Sequence, residues 1–490
     1  MLDWISSHYK SIFITIWWIY IISIGVWILL QKRSPGSTLA WILSLSFIPI
    51  LGFFIYYVFG PKKISRQKLN RRRSRIMLEK LQGLWGSDLY EQPIAEKYLS
   101  LTQLSQNTTN IPMSYSLDYE LYSGGQATYE ALFQAIRDSQ DYILLEYYIF
   151  DNDETGKVLR DLLTEKVKQG LDVYLLVDTI GSWRLTRGFM RPFVKAGGHL
   201  SYFHNLTWRR LFSLINFRNH RKLVICDGDI AFTGGVNITD TQDLRRDPNA
   251  FHDVHIKLSG PAVTWLESIF IEDWHYSSTD ATLFKVTREN YKRKESIKVS
   301  DPDAYTLVNK NPYRVQVIPS GPDTDYVPIL RLIVSAMHRA QHRIYLTTPY
   351  FVPDDSALMA LTSAALKGLD VRILVPQRSD NIMVTWAARS WYHELIEAGV
   401  KIYEYGPRML HTKTIVIDDH LSFIGSANFD NRSFHINFEL LVLCYDKEAN
   451  KAQHQEFLQA LESSQRIQHH SPNFGQRMIE SLARLSAPLL

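Results

Sequence analysis

Cysteine is nearly missing from this chain: 490 residues hold two, Cys226 and Cys444. Each lies in or beside an apolar run, Val-Ile-Cys or Leu-Val-Leu-Cys, and reads as a buried thiol. No disulfide framework follows, and no Cys spacing of the metal-binding kind exists. An excess of one charge is missing too. The formal net charge is only +4, too little to imply a nucleic-acid partner by itself. A composition of 46% hydrophobic and 21% charged residues excludes a disordered chain. The length exceeds that of one typical domain, so two or more units are expected.

Charge is absent altogether from two N-terminal stretches. Residues 11–30, SIFITIWWIYIISIGVWILL, and 38–59, TLAWILSLSFIPILGFFIYYVF, contain none. About 20 helical residues span about 30 Å, the thickness of a bilayer's hydrocarbon core. The polar turn QKRSPGS between them makes residues 1–60 a two-helix transmembrane hairpin. A cleaved signal peptide would have a shorter apolar stretch and no second span directly behind it. The turn carries Lys32 and Arg33. Beyond the second span come Lys62, Lys63, Arg66, Lys68, Arg71, Arg72, Arg73, Arg75 and Lys80. That asymmetry places both ends of the chain in the cytoplasm. Residues 61–110 read as a basic juxtamembrane linker.

What the chain does have, it has twice. HRKLVICDGDIAFTGGVN runs from His220 to Asn237, and HTKTIVIDDHLSFIGSAN from His411 to Asn428. Both fit H-x-K-x4-D-x6-G-[GS]-x-N. The duplication extends further: Gly170-Leu171-Asp172-Val173 matches Gly368-Leu369-Asp370-Val371, and AGGHLSYF at 196–203 matches AGVKIYEY at 398–405. Apolar β-rich runs alternate with helical patterns. The expected fold is therefore α/β with largely buried strands, in two pseudo-symmetric halves at 111–290 and 313–470. A charged linker at 291–312 separates them, and an amphipathic tail, 471–490, follows.

The duplicated motif offers chemistry. On a strand, alternate side chains share a face, so His220 points with Lys222 and His411 with Lys413. Asp227 and Asp418 complete the candidate catalytic set. They have the other parity and close each strand in a turn by local hydrogen bonds. Small residues then let a ligand approach, and Asn237 or Asn428 can donate to an oxyanion. Each half supplies one imidazole, one ammonium and one amide. A phosphodiester repels nucleophiles, and two lysines with two asparagines would neutralise it from both sides. One neutral His attacks phosphorus while the other, protonated, serves the leaving alkoxide. Opposite faces of an in-line displacement need two halves, so each copy is half of one active site.

The duplicated motif resembles that of the phospholipase D superfamily. The whole chain resembles its bacterial cardiolipin synthases. The likeness includes the transmembrane hairpin, Gly60-Pro61-Lys62-Lys63, TTPYFVPD at 347–354, NFDNRSFHINFE at 428–439 and the C-terminal ESLARLSAPLL. It implies two phospholipase D-like halves and a phosphatidyl group held on a histidine. That group then passes from one phosphatidylglycerol to another, giving cardiolipin and glycerol. It implies no metal and no cofactor, a lipid bilayer as partner, no nucleic acid, and a bacterial cell membrane as location. Superfamily members back each catalytic His with an acid about 25–35 positions later, and Asp253 and Glu439 fit. By the same resemblance His220 is the nucleophile and His411 the acid, then base. His252 and His255 have a spacing seen in metal sites but lack further ligands. Hydrolysis to phosphatidic acid differs only in the acceptor, and motifs do not separate it from transfer. A nuclease of the superfamily sits poorly with the hairpin, and a lipid-binding scaffold without catalysis would not need two intact motifs. Residues 204–219, which mix Trp208, Leu211 and Phe212 with Arg209, Arg210 and Arg218, fit an interfacial helix or a lid. The tail puts Phe474, Met478, Leu482 and Leu485 on one helical face, to dock on the catalytic halves or on a membrane.

Overall fold

The GLDV signature marks the same event in both halves: a helix stopping and a buried strand starting. Gly170 and Gly368 take positive φ, 98° and 90°, just past the helices Glu154–Lys168 and Asp355–Leu366. Leu171 N–H donates back to Lys166 at 3.1 Å and Leu369 N–H to Ala364 at 3.2 Å, closing the helix end. The opposite ends are capped by Asp153 and Asp354, whose carboxylates accept from Gly156 and Ser356 N–H. The strands that follow, Asp172–Asp178 and Asp370–Pro376, are buried over most of their length.

The computed structural model describes residues 2–30, 35–47, 96–204, 216–278 and 312–487, with a few positions between 282 and 289. The strands in chain order are β1 Ser114–Ser116, β2 Tyr119–Ser123, β3 Tyr142–Tyr147, β4 Asp172–Asp178, β5 His199–Phe203, β6 Leu223–Cys226, β7 Ile230–Gly234 and β8 Val254–Ser259. Then come β9 Tyr313–Ser320, β10 Arg343–Thr347, β11 Phe351–Val352, β12 Asp370–Pro376, β13 Lys401–Tyr405, β14 Thr414–Ile417, β15 Leu421–Gly425, β16 Phe429–Asp430, β17 Glu439–Cys444 and β18 Ser464–Ile467. One sheet has the order β2-β8-β7-β6-β3-β4-β5. The other has β1-β9-β17-β15-β14-β10-β12-β13-β18. With β1 and β18 removed from its edges, the second repeats the first strand for strand. In each, the strand before the first crossover helix runs parallel to the two that follow, and the motif hairpin is antiparallel.

Residues 114–116, placed in the first half by the sequence, extend the second half's sheet by pairing with β9. The helix Leu99–Thr109, expected to be linker, also packs there: Leu101 is buried beside Ile333 and Tyr115 in the second half's core. A central core joins the two sheets, with Leu144, Leu223 and Ile225 from one and Val317, Ile424 and Val442 from the other. The halves therefore share buried apolar surface instead of meeting only through polar contacts. The helices Pro261–Ser277 and Lys447–Glu462 each touch strands of both sheets.

The N-terminal unit holds the helices Leu2–Leu29 and Pro35–Phe47, with Ile28 and Leu45 buried in one small cluster. Among the described residues, His8–Leu29 is the one helix long and apolar enough to cross a membrane. The second expected span is described only to Phe47. Its remainder, the basic run 61–80, the insertion at 205–215 and the linker 291–311 lie outside the described residues. The tail forms the helix Phe474–Leu485, capped by Asn473. Its polar face docks on the second half: Glu480 meets His470 at 3.0 Å and Arg484 lies over the Trp391 ring. Phe474, Met478, Leu482 and Leu485 stay exposed on the other face.

Candidate active site

Both histidines lie just ahead of their strands, in extended segments, and each segment pairs with the opposite half. His220 N–H donates to Phe438 O at 2.9 Å, and Phe438 N–H to Arg218 O at 2.8 Å. The mirror arrangement has His411 N–H on His252 O at 2.7 Å and His252 N–H on Met409 O at 2.8 Å. Asn219–Phe438 and His252–Leu410 are thus two pseudo-symmetric parallel bridges. They bring His220, His411, Asn237 and Asn428 to the wall of one cavity of about 410 Å³, as the sequence led us to expect. That volume is within the usual range for small-molecule sites.

The acids reach across the pair. Spacing assigned Asp253 to His220 and Glu439 to His411, but the structure reverses this. Glu439 holds His220 Nδ1, with both carboxylate oxygens at 3.0 Å. Asp253 holds His411 Nδ1 at 2.5 Å. The cause is the backbone pairing just described: each histidine runs beside the segment that leads into the other half's acid. An imidazole whose Nδ1–H donates to a carboxylate presents Nε2 on its far side as the reactive nitrogen. Both carboxylates are fully buried. Burial alone would raise them, but Lys413 and His411 hold Asp253 below its ordinary range, and His220 and Lys222 do the same for Glu439.

The imidazoles move the other way. Burial pushes His220 down to about 4 against the pull of Glu439, with Lys222 adding to the fall. Burial and then Lys413 lower His411 against Asp253. The lysines sit behind the histidines and do not line the cavity. Lys222 Nζ donates to His220 O at 2.7 Å, and burial lowers it to about 7. Lys413 Nζ lies 3.0 Å from His411 Nδ1 and 3.7 Å from Asp253, and burial lowers it too. Their influence on a bound phosphate acts from beneath the imidazoles, through a medium of low dielectric.

The acids have further supports that the sequence did not reveal. Ser426 Oγ donates to Glu439 at 2.5 Å and Asn437 Nδ2 at 3.1 Å. Gln242 Nε2 lies 3.3 Å from His411 Nδ1 and 3.4 Å from Asp253. The G-[GS] pair in the motif has a steric reason. A Cβ on Gly235 would sit 2.0 Å from Asp253 Oδ1, whereas the matching Ser426 uses its hydroxyl to hold Glu439. The motif letters could have flagged Ser426. Gln242 falls on a short turn, Asp240–Gln242, with no repeat to mark it.

Asp227 and Asp418 are not brought to the cavity. Asp227 accepts from Gln140, Asp141 and Tyr142 N–H, at the start of β3, while His220 lies by Tyr148 at the end of that strand. Asp418 does the same for Gln341, His342 and Arg343 ahead of β10. Both take positive φ, 56° and 50°, which Asp tolerates better than most residues. The expected local bonds are replaced by distant ones that tie the motif strand to its neighbour, so these two leave the catalytic set. Asn237 Oδ1 accepts from Ile149 N–H at 3.2 Å, which fixes its amide toward the cavity. His252 pairs with Glu456 at 2.8 Å, and His255 is buried beside Val236 N–H. Among the described residues no cluster of His, Cys, Asp or Glu has metal-binding geometry.

Known proteins resemble this chain over nearly its whole length. A family model described as cardiolipin synthase, phospholipase D-like domain, matches residues 132–274 and 333–461. A second, described as phospholipase D-nuclease N-terminal, matches 12–61. The cardiolipin synthase of Geobacillus sp. (strain WCH70) is 36% identical over 480 residues, covering 96% of this chain and 92% of the relative. That of Alkalihalophilus pseudofirmus is 35% identical with the same coverage. Among solved structures, phosphatidylserine synthase from Haemophilus influenzae Rd KW20 shares the fold, with a TM-score of 0.59 at 16% identity. It covers 80% of this chain and all of its own.

Proposed function

The chain belongs to the cardiolipin synthase family of phospholipase D-like phosphatidyltransferases, and from that premise we propose that it joins two phosphatidylglycerol molecules at the cavity between its halves. The observation that carries this reading is the pair of crossed His–carboxylate contacts on one cavity wall. His220, largely neutral at physiological pH, attacks the donor's phosphorus through Nε2. His411, its Nδ1–H held by Asp253, protonates the departing glycerol oxygen. The arriving phosphate supplies the negative charge that favours an imidazolium there. Then the acceptor's primary hydroxyl attacks the phosphohistidine. The P–N bond breaks, a P–O bond forms, and the hydroxyl proton goes to His411. Two phosphatidylglycerols have become one cardiolipin and one glycerol.

The asymmetry between the histidines supports these roles. His411 has the shorter contact to its acid, which suits a group that must carry charge. Purified protein with labelled phosphatidylglycerol tests the function. Cardiolipin and glycerol should appear together in equal amounts. Phosphatidic acid as the main product would make the chain a hydrolase.

Membrane association is a family property, and the helix His8–Leu29 has the length for a span. The finer reading is a hairpin in the bacterial cell membrane with both ends and the catalytic halves in the cytoplasm. A cysteine at Ser37 should then label from outside intact cells, and one at Ser87 only after permeabilisation. The reverse pattern would invert the orientation.

A further inference from the structure

The catalytic groups account for one phosphate, yet the same cavity carries a second set of positive charges. Arg218 and Arg432 both line it, one from each half, and both are half-buried. The backbone draws them together. Arg218 O accepts from Phe438 N–H at 2.8 Å, and Arg432 O accepts from the N–H of Asn437, one residue earlier, at 2.9 Å. Two guanidinium-bearing residues are thus tied to consecutive peptide groups. Burial, and then the charge of Arg218, pushes Arg432 below its usual value, so the two groups repel one another. Asp430 and Glu439 offset this in part, and Asp430 and Asp380 line the same cavity. Tyr148 bridges the two sites. Its ring meets the His220 ring at 4.8 Å, and its hydroxyl lies in the field of both arginines.

Two like charges facing one partly dehydrated space are relieved by an anion placed between them. The reacting phosphate belongs at the histidines' Nε2 atoms. Cardiolipin has a second phosphate, one three-carbon glycerol bridge away from the first. We propose that Arg218 and Arg432 form an acceptor subsite that binds the phosphodiester of the incoming phosphatidylglycerol and so selects a lipid acceptor over water. The proposal rests on the transfer reaction above and deepens it. Bound there, the acceptor's phosphate fixes its terminal hydroxyl at the phosphohistidine, where His411 takes the proton. Water and simple alcohols have no phosphate, so they gain nothing from the subsite.

The test compares two acceptors with one donor. Labelled phosphatidylglycerol is supplied with ethanol, and initial rates of cardiolipin and phosphatidylethanol formation are read together. In Arg432→Gln and Arg218→Gln the ratio of cardiolipin to phosphatidylethanol should fall about tenfold or more, the size of a lost charge-assisted contact. Arg432→Lys, which keeps the charge, should recover much of the ratio. Equal loss of both products would mean that the arginines hold the donor phosphate or the fold, and would overturn the proposal. An unchanged ratio would overturn it as well. Because the two glutamine variants lie in different halves, misfolding of one leaves the other to decide. Failure of the parent reading is distinguishable, since the unaltered protein itself would then make no cardiolipin.

Discussion

Alanine at His220 or at His411 is expected to abolish phosphatidyl transfer, each by itself, by about four orders of magnitude or more. The two residues lie 191 positions apart in sequence but on one cavity wall. One forms the P–N bond and the other moves the proton, so neither step proceeds without its own imidazole. A drop of that size corresponds to about 5.5 kcal/mol of lost transition-state stabilisation. The variants separate the roles further. Rapid acid quench with donor and no acceptor, followed by digestion, should map the phosphoryl group to a peptide containing His220. His411→Asn should still form that adduct from donors whose leaving group needs little protonation, and then stall. His220→Asn should form none. An adduct mapped to His411 would exchange the two roles while leaving the shared site intact. Full activity in either alanine variant would dissolve the shared site altogether.

Much of the architecture can be read from residue pattern because local physics sets it. Gly170 and Gly368 stop helices at positive φ, and the apolar runs after them have little choice but to be buried strands. The duplicated order of strands follows from the duplicated order of those signals. The grouping of His220 with His411 was legible for the same reason, since two copies of half a site need each other. Other features depend on contacts between residues far apart in sequence. β1 joins the second half's sheet because Ser114–Ser116 finds an open edge at β9, and nothing in the tripeptide says so. Asp227 and Asp418 have motif status but serve backbone N–H groups 85–87 and 75–77 positions away. Lys222 and Lys413 keep company with the histidines, yet lie beneath them instead of facing the cavity. The tail's two possible dockings were separated only by which face is covered. Glu480 and Ala483 are buried and the apolar stripe is not. The acids were misassigned because spacing along the chain links each to its own half, while the bridges at Asn219–Phe438 and His252–Leu410 hand it to the other.

That exchange has a measurable consequence, because each acid should fail together with the histidine of the opposite half. Glu439→Gln and Asp253→Asn should each reduce turnover by about 10³–10⁴-fold, as when a carboxylate that orients a catalytic imidazole becomes an amide. The amide keeps the shape, and in Glu439→Gln its remaining oxygen can still accept from Ser426 or Asn437. What goes is the charge that fixes the tautomer and supports the imidazolium. Removing a buried carboxylate charge also leaves the lysine beside it, Lys222 for Glu439 and Lys413 for Asp253, less compensated, so thermal melting is read beside activity. The acid-quench experiment, read as a burst of adduct formed from donor alone, tells the two pairings apart. Donors with good leaving groups do not need the acid His411. Asp253→Asn should therefore still load a phosphatidyl group onto His220 and then stall, as His411→Asn does. Glu439→Gln disables the nucleophile's own support, so loading itself should slow by the same large factor. Pairing within each half demands the opposite: Asp253→Asn would lose the burst and Glu439→Gln would keep it. That result would mean the contacts at 2.5 Å and 3.0 Å are not the ones that drive the chemistry. A burst surviving in both variants would mean that neither carboxylate sets the tautomer, leaving the buried lysines as the source of the site's charge balance.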